Sequence, residues 1–200
     1  MSRSGRVQRT AKVLCIARQV LTIASSRLAL RPWQVPDLDD LLALNRDPRV
    51  SRWLGGSSLA DASETALVRY RTQFQSNGYG VFHISDRAGH FLGLAGVQPV
   101  RQGLPTFPGT EVVWRFRSDC WGRGYAFEAM TAILAGMPSH APKDLIAAIS
   151  RPNLRSAKLA ERLGFCHHPE DDYLYPDDGI DAVLRPHRVF RLRSNSQRAA

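Results

Sequence analysis

The apolar residues of the chain follow two periods, and the change from one period to the other marks most of the predicted elements. Alternating polar and apolar positions are typical of strands, and apolar positions three and four residues apart are typical of amphipathic helices. Alternation predicts strands at residues 27–33 and 79–85, and the turn residues 86–89 make residues 91–97 the hairpin partner of the second. Further strands are predicted at residues 111–117, 144–150, around 165 and at 183–192. Helical spacing predicts helices at residues 36–47, 59–75, 122–136 and 153–163. Antiparallel strands with helices inserted between them indicate an α+β domain.

Length and hydropathy favour a single soluble domain. A chain of 200 residues has the size of one domain and can bury most of its apolar surface in one core. The longest apolar runs, residues 13–17 and 91–97, are far shorter than the roughly 20 residues that a membrane-spanning helix needs. We therefore expect a soluble protein that makes no membrane contact.

The formal net charge of +9 lies at the two ends of the chain. Residues 1–31 carry seven basic side chains and residues 185–200 carry five, and neither segment contains an acidic side chain. The two ends together carry more positive charge than the net charge of the whole chain. The body between them therefore has a small net negative charge. Such a body offers no extended track for a phosphate backbone, which argues against a nucleic-acid partner.

The acid-free N-terminal segment is expected to be an extension of the domain. Residues 1–26 superficially resemble a transit peptide, and their apolar patch resembles a short signal sequence, but Arg18 interrupts that patch early. We predict a flexible basic extension over residues 1–26, a domain over residues 27–193 and a tail over residues 194–200.

The cysteines and histidines form neither a disulfide pattern nor a metal pattern. Cys15, Cys120 and Cys166 are odd in number and widely spaced, which favours a reducing, cytoplasmic compartment. Cys166, His167 and His168 are neighbours on a predicted strand, where successive side chains point to opposite faces. They cannot jointly bind one ion, so no metal site is expected.

Residues 121–126 join a predicted strand to a predicted helix and have the composition of a phosphate-binding turn. Gly122 and Gly124 let the backbone approach an anion, and the free N–H groups at a helix start bind phosphate. Arg123 adds a charged donor. A glycine pair before a helix also occurs in ordinary tight turns, so other motifs must decide. The segment lacks the Lys-Ser/Thr of a P-loop and the three-glycine spacing of a dinucleotide fold, so neither ATP nor NAD fits.

The string Trp-Gly-Arg-Gly-Tyr-Ala-Phe-Glu-Ala at residues 121–129 resembles motif A of the GNAT N-acetyltransferases, which reads Gln/Arg-x-x-Gly-x-Gly/Ala. Trp121 takes the first place of that motif, where the family has Gln or Arg. Within the family, the string resembles the branch that acetylates the N-termini of ribosomal proteins. The segment Asn-x-x-Ser at residues 153–156, followed by a helix that ends in Gly-Phe, is similar to the second signature of the family. The resemblance covers roughly residues 27–193.

This resemblance implies the GNAT fold, a mixed and mostly antiparallel sheet flanked by helices, with acetyl-CoA at the splayed central strands. Acetyl-CoA would be the cosubstrate. Its pyrophosphate would lie on backbone N–H groups of the glycine turn, and its pantetheine arm would pair with the central strand. The residues that the resemblance assigns to the cofactor are Phe116, Gly122, Arg123, Gly124, Tyr125, Ala126 and Asn153. Asn153 could equally cap the helix that it precedes.

Acetyl transfer to an amine needs a base for the proton of the amine and an acid for the leaving thiolate. Many family members place a tyrosine where this chain has Ala160. In the ribosomal branch the serine of Asn-x-x-Ser is thought to serve as the acid, which points to Ser156. Glu111 opens the central strand where the branch often carries Glu, and it is the first candidate for the base. Ser156 could instead be an ordinary helix-start hydroxyl, and Glu111 a solvated strand end.

Two further acidic features are weighed against Glu111. The run Glu170, Asp171 and Asp172 supplies the reserve candidates for the base beside the expected acceptor cleft, although a solvated loop is the simpler interpretation. Glu128 lies on the motif A helix and is interpreted as structural.

The leading hypothesis is an acetyltransferase that acts on a protein N-terminal amine, because the branch-specific strings favour it and acidic side chains could attract a cationic acceptor. The alternatives are transfer to a small-molecule amine and a CoA-binding module that has lost catalysis, which Ala160 would favour. The sequence does not separate the acceptors, since acceptor loops diverge most within a fold. A monomer or a homodimer is expected.

Overall fold

The computed structural model describes residues 21–54, 58–177 and 180–192, which form one nine-stranded sheet with helices on both faces. The strands are β1 (Ile23–Ala24), β2 (Leu28–Arg31), β3 (Val81–Asp86), β4 (Phe91–Pro99), β5 (Thr110–Phe116), β6 (Leu145–Ser150), β7 (Phe165–His167), β8 (Tyr173–Leu174) and β9 (Pro186–Leu192). They follow the order β1-β2-β3-β4-β5-β6-β9-β7, and β8 pairs with β9. Within these ranges every pair is antiparallel except β5 with β6. The mixed, mostly antiparallel sheet is therefore confirmed.

Helices connect the strands. The α-helices are α1 (Leu38–Arg46), α2 (Pro48–Ser51), α3 (Ser58–Asp61), α4 (Ser63–Asn77), α5 (Tyr125–Gly136) and α6 (Leu154–Arg162). Short 3-10 helices lie at Val35–Asp37, Ser118–Cys120 and Pro169–Asp171. Within the part of the chain that the structure describes, no helix has the length and apolar character to cross a bilayer.

Different helices cover the two faces of the sheet. Val112 of β5 packs with Met130 of α5 in the larger core cluster, whereas the next residue, Val113, packs with Leu41 of α1 and Tyr70 of α4. Successive strand residues point to opposite faces. Strand β5 therefore presents its even-numbered residues to α5 and α6 and its odd-numbered residues to α1 and α4.

The prediction of one helix at residues 59–75 is wrong in one respect. The structure has two helices there, α3 and α4, separated at Ala62. The carbonyl of Leu59 accepts hydrogen bonds of 3.4 Å from the side chains of both Asn45 and Ser63. Side-chain bonds of this kind compete with the regular helical ladder and interrupt it.

The helix predicted at residues 122–136 begins only at Tyr125. Gly122 and Gly124 have left-handed φ angles of 78° and 79°, which a right-handed helix does not contain. The turn before α5 is therefore longer than predicted, and both glycines belong to it.

The C-terminal strands also differ from the prediction. The strand predicted from residue 183 begins at Pro186, because the N–H of Leu184 closes a turn onto the carbonyl of Asp181 at 2.8 Å. Strand β8 is absent from the prediction, since two residues carry too little alternation to be recognised.

Part of the predicted N-terminal extension belongs to the sheet, because β1 pairs with β2. Residues 1–20, which include Cys15, and residues 193–200 lie outside the described residues. The flexibility of the extension and the tail stays a prediction.

Candidate active site

The parallel strands β5 and β6 separate after two residue pairs, and a cleft opens between them. Thr110 pairs with Leu145 and Glu111 pairs with Ile146, and the two strands form no further pair in the described ranges. The cleft is lined mainly by β4, β5 and β6, by α2, α4 and α6, and by the first turn of α5. Beyond Glu111, backbone groups on this edge of β5 lack a strand partner, so an extended ligand arm can bind there.

The turn before α5 presents backbone donors to the cleft. A Cβ at Gly122 would contact no protein atom within 4 Å, and one at Gly124 would approach only Arg27 Nη2, at 3.6 Å. The glycines therefore supply the left-handed backbone and keep the space beside the turn clear. No side chain caps α5, and its first intrahelical bond runs from Glu128 N–H to the Gly124 carbonyl at 3.0 Å. The N–H groups of residues 125–127 can consequently bind a phosphate.

Most of the residues that the resemblance assigns to the cofactor line this cleft. They are Phe116, Gly122, Gly124, Tyr125, Ala126 and Asn153. Arg123 does not line the cleft; its side chain is exposed, and its carbonyl accepts a hydrogen bond from Arg27 Nη1 at 3.0 Å. The side chain of Phe116 is buried, and its carbonyl accepts the indole N–H of Trp121 at 2.8 Å. Contact of these residues with the cofactor stays a prediction.

Glu128 fastens the N-terminal arm to α5. Its carboxylate accepts the hydroxyls of Ser25 and Ser26 at 2.6 and 2.9 Å, and the backbone N–H and Nε of Arg27 at 2.9 and 2.6 Å. Arg27 also lies 4.7 Å from the ring centroid of Tyr125. Burial alone would raise the pKa of Glu128, but these hydrogen bonds outweigh burial and lower the pKa to about 2. The contacts agree with the structural role expected for Glu128.

The lowered pKa of Glu128 predicts that its stabilising contacts with residues 25–27, here called the Glu128 clamp, are lost in acid. A carboxylate whose pKa falls from 4.5 to about 2 on folding stabilises the fold above pH 4.5, and this contribution is lost as the pH falls toward 2. Glu128→Gln should therefore lower the melting temperature at neutral pH and lose less stability than the parent in acid. Thermal unfolding at neutral and acid pH measures this, with the exposed Glu161→Gln as the control. Equal melting temperatures at neutral pH would contradict the clamp.

Asn153 and Ser156 form the start of α6 at the edge of the cleft. Asn153 Oδ1 accepts the N–H of Ser156 at 3.2 Å, so Asn153 has the capping role that the sequence allows. Ser156 Oγ accepts the indole N–H of Trp114 at 3.2 Å. Because an indole N–H only donates, the hydroxyl proton of Ser156 is not used in that bond and can be donated to a ligand. The contact with Trp114 orients Ser156 as a candidate acid.

Ser156→Ala should lower kcat by about tenfold or more, because the leaving thiolate would lose its proton donor. The affinity for acetyl-CoA should change little. Steady-state kinetics beside calorimetry separate the two quantities, and Ser156→Thr, which keeps a hydroxyl, should recover part of the rate. If the alanine variant retains the kcat of the parent, Ser156 is an ordinary helix-start hydroxyl.

Glu111 lies at the apex of the cleft, in the last residue pair of β5 and β6. Its Oε1 accepts a hydrogen bond from Gln98 Nε2 at 2.7 Å. Burial raises the pKa of Glu111, and the Gln98 bond and the charges of Arg69 and Arg101 offset only part of this effect. A carboxyl with a raised pKa is a stronger base than a solvated one. The geometry favours the base over a solvated strand end.

The acidic run that supplies the reserve base candidates lies outside the cleft, so its predicted position is wrong. Glu170 contacts His168 Nδ1 at 2.9 Å, and Asp171 accepts Arg191 Nε at 2.5 Å. Asp172 accepts a backbone N–H of β9 at 3.0 Å. The bonds of Asp171 and Asp172 hold the 3-10 turn against β9, and none of the three carboxylates lines the cleft.

Tyrosines line the cleft at positions that the sequence argument missed. Tyr173 and Tyr175 both lie against His187. Their ring centroids are 5.5 and 5.1 Å, respectively, from the centroid of the His187 ring. Burial, assisted by the negative charge of Glu111, raises the pKa of Tyr173 and keeps it protonated as a donor. Strand β8 is too short for its pattern to have revealed them from the sequence.

The cleft is predominantly basic, which disfavours the cationic acceptor that the sequence analysis considered. Its carboxylates are Glu111 and Asp177. Its basic side chains are Arg49, Arg52, Arg69, Arg101, Arg115, Arg155, Lys158 and Arg162.

Two clusters bring potential metal ligands within 4.8 Å of one another in the described part of the chain. They are Asp37, Asp40 and His83, and His168, Glu170 and Asp171. In each cluster an arginine already binds one carboxylate: Arg31 binds both oxygens of Asp37 at 2.6 and 2.8 Å, and Arg191 binds Asp171. The charge that would attract a cation is therefore partly compensated, and the expectation of no metal stays a prediction.

Known proteins share this architecture. A chain described as a GNAT-family acetyltransferase from Bordetella pertussis is 28% identical and superposes with a TM-score of 0.70, over 86% of this chain and 99% of its own. A spermidine N-acetyltransferase from Vibrio cholerae is 16% identical, with a TM-score of 0.63 over 84% and 96% of the two chains. The ribosomal-protein-S5-alanine acetyltransferase from Vibrio fischeri is 14% identical, with a TM-score of 0.67 over 88% and 97%. The last two show a shared fold.

The family match covers most of the chain, including β5, β6 and the glycine turn, since residues 27–166 match the model of the acetyltransferase (GNAT) domain. GNAT acetyltransferases use acetyl-CoA as their cosubstrate. The glycine turn and the N–H groups at the start of α5 fit its pyrophosphate, and the open edge of β5 fits its pantetheine arm. The chain belongs to the GNAT acetyltransferase family.

Proposed function

We propose that this chain transfers the acetyl group of acetyl-CoA to a primary amine, and that the preferred amine is the N-terminus of a polypeptide. The observation that carries the proposal is the position of Glu111, a carboxyl with a raised pKa at the apex of the cleft. The same cleft extends to the N–H groups at the start of α5. A base and a phosphate-binding turn in one cleft support catalysis over cofactor binding alone.

Each step of the transfer has a candidate group in the cleft. Acetyl-CoA supplies an activated thioester carbonyl for attack by a neutral amine. Glu111 accepts the proton of the amine, directly or through a water, because amines are protonated at neutral pH. Ser156, oriented by Trp114, donates its hydroxyl proton to the leaving thiolate. Tyr173, which its raised pKa keeps protonated, is the second candidate for this donor.

The choice of a polypeptide N-terminus rests on residues 121–129, whose string resembles the ribosomal-protein branch. The solved spermidine and ribosomal-protein acetyltransferases are similar at the level of the fold, so neither decides the acceptor. A small-molecule amine is the second candidate, because the arginines of the cleft suit a compact ligand with negative charge. The same arginines disfavour a polycation.

Release of CoA, measured with a thiol reagent, tests the proposal across an acceptor panel. The panel contains peptides with free N-termini, the same peptides with blocked N-termini and free lysines, polyamines and amino acids. We expect release with the free N-termini and little with the blocked peptides. Faster release with a small amine would replace the polypeptide acceptor. Acetyl-CoA binding without release for any amine would identify a CoA-binding module that lacks catalysis.

A further inference from the structure

Arg115 lies on the acceptor side of the cleft. Glu111, Val113 and Arg115 occupy alternate positions of β5, and Val113 packs against α1 and α4, so all three point to that face. The even-numbered residue Trp114 points to the opposite face, where it contacts Ser156 of α6. Strand β5 therefore separates Arg115 from the α5 turn that fits the phosphates of CoA.

The guanidinium of Arg115 is incompletely satisfied. Its Nη1 donates to Asn45 Oδ1, whereas its Nε is buried without a hydrogen-bond partner. Across residues 21–54, 58–177 and 180–192, no carboxylate forms an ion pair with it. Burial lowers the pKa of Arg115, because the charged form is costly there. An anion that enters the cleft would stabilise this cation and engage its unused donors.

Asn45 holds Arg115 in place without neutralising it. Asn45 is 1% exposed, and its Nδ2 donates to Ser63 Oγ at 2.9 Å and to the Leu59 carbonyl at 3.4 Å. These bonds direct Oδ1 toward Arg115. The guanidinium is consequently positioned by α1, α3 and α4 before any ligand binds, which lowers the entropic cost of binding.

Arg69, which lies on α4 at that face of β5, and Arg101 add positive charge to the cleft. Neither forms an ion pair with a carboxylate of the described chain, and each lies over a tyrosine ring, 5.3 and 5.2 Å from its centroid. After the larger effect of burial, the charge of Arg69 further lowers the pKa of Arg115. The charge of Arg69 also offsets part of the increase that burial causes in the pKa of Glu111. Arg69 is therefore within electrostatic reach of both Glu111 and Arg115.

We propose that the amine acceptor carries an anionic group, a carboxylate or a phosphate, that binds Arg115 and Arg69 while its amine faces Glu111. The inference rests on the proposed acetyl transfer and names its substrate class. Planar guanidinium groups bind such oxyanions through paired hydrogen bonds. Glu111 and Arg115 are four residues apart, roughly 13 Å at about 3.3 Å per strand residue. The anion is therefore several bonds from the amine, as in a peptide with an early acidic residue or in an ω-amino acid.

Matched acceptor pairs test this proposal in the parent protein. The pairs are a peptide with Glu at its third position against the same peptide with Gln, an ω-amino acid against its amide, and an aminoalkyl phosphate against the amino alcohol. We expect kcat/KM to be at least about tenfold higher for the anionic member. The carboxylate and phosphate pairs show which anion is preferred. A parent that acetylates neutral and anionic members equally would overturn the proposal.

Variants test whether Arg115 and Arg69 cause the preference for anionic acceptors. Arg115→Gln and Arg69→Gln should each bring the ratio of anionic to neutral kcat/KM close to one. Arg71→Gln removes a cation from the same helix as Arg69 but outside the cleft, and it should keep the ratio of the parent. Arg69 is exposed, so its variant tests the proposal even if Arg115→Gln fails to fold. A ratio that survives in Arg69→Gln would overturn the proposal.

A binding measurement separates failure of this inference from failure of the proposed function. If no amine is acetylated, the proposed function fails, and calorimetry of the same pairs with the CoA-loaded protein still tests the anion site. We expect tighter binding of the anionic member and a loss of about tenfold in Arg69→Gln. Equal binding of both members, or binding unaffected by Arg69→Gln, would contradict the site.

Discussion

Replacing Glu111 with glutamine is expected to lower kcat/KM for amine acceptors by about 10²- to 10⁴-fold, the usual size of general-base loss. The substitution keeps the shape of the side chain and an oxygen that can accept the Gln98 bond, but it removes the basic form. Steady-state kinetics with one acceptor measure the loss. Glu161→Gln makes the same chemical change at an exposed position of α6 and should keep the rate of the parent.

The Glu111→Gln variant should lose this activity without losing stability. Burial raises the pKa of Glu111 above its ordinary value of 4.5. A carboxyl of this kind stabilises the fold fully below pH 4.5, and the contribution is lost as the pH rises through the folded pKa. Above the folded pKa the ionised Glu111 provides no such stabilisation. The variant should melt at the temperature of the parent or above it, and a lower melting temperature would indicate a structural role.

The pH dependence of kcat/KM gives a second test of Glu111. A higher pH supplies neutral amine without help from a carboxylate, so the activity of Glu111→Gln should climb more steeply with pH than that of the parent and partly recover. Parallel pH profiles would assign the proton to another route, in which the enzyme only binds neutral amine. A rate change below about threefold would lead to the same conclusion.

Gly124→Val is expected to weaken acetyl-CoA binding by about 10- to 100-fold, equivalent to roughly 1.4–2.8 kcal/mol. The branched side chain would occupy the space beside the turn, between the backbone N–H groups of α5 and the pyrophosphate. Calorimetry on the folded variant measures the affinity. An unchanged affinity would remove the proposed cofactor site.

Gly89→Val is the matched control for Gly124→Val. Gly89 lies in the hairpin turn between β3 and β4, outside the cleft; its φ is 90°, and a Cβ added there would meet no atom within 4 Å. It therefore reproduces the backbone strain of a side chain in the left-handed region without blocking a ligand. Gly89→Val should bind acetyl-CoA like the parent, and an equal loss in both variants would attribute the effect to strain.

The local sequence pattern was sufficient to predict the central strands and the helix α6. The predicted bounds of β3, β4, β5, β6 and α6 agree with the structure to within two residues at each end, because apolar runs or periods and the turn residues that flank them delimit each element in its own sequence. The break between α3 and α4 was not predictable in this way. It depends on Asn45 of α1, whose contact with Leu59 exists only after the helices have packed.

The residues of the candidate site also fall into those that local motifs predict and those that depend on distant parts of the chain. Glu111, Ser156 and the glycine turn stand in motifs, so their positions in the cleft followed from local sequence. Arg115 was missed because the residue that positions it, Asn45, is 70 residues away in the chain. The acidic run at residues 170–172 does not line the cleft, because long-range partners on β9, Arg191 and Val189, bind Asp171 and Asp172.

The central claim, acetyl transfer from acetyl-CoA to an amine in the β5–β6 cleft, is tested most directly by quantifying CoA and N-acetylated product in the same reaction of the purified protein. We expect one acetylated amine for each CoA released, with both quantities falling together in Glu111→Gln. Acetyl-CoA binding without acetylated amine above the uncatalysed rate would contradict the claim, and so would CoA release without an acetylated amine.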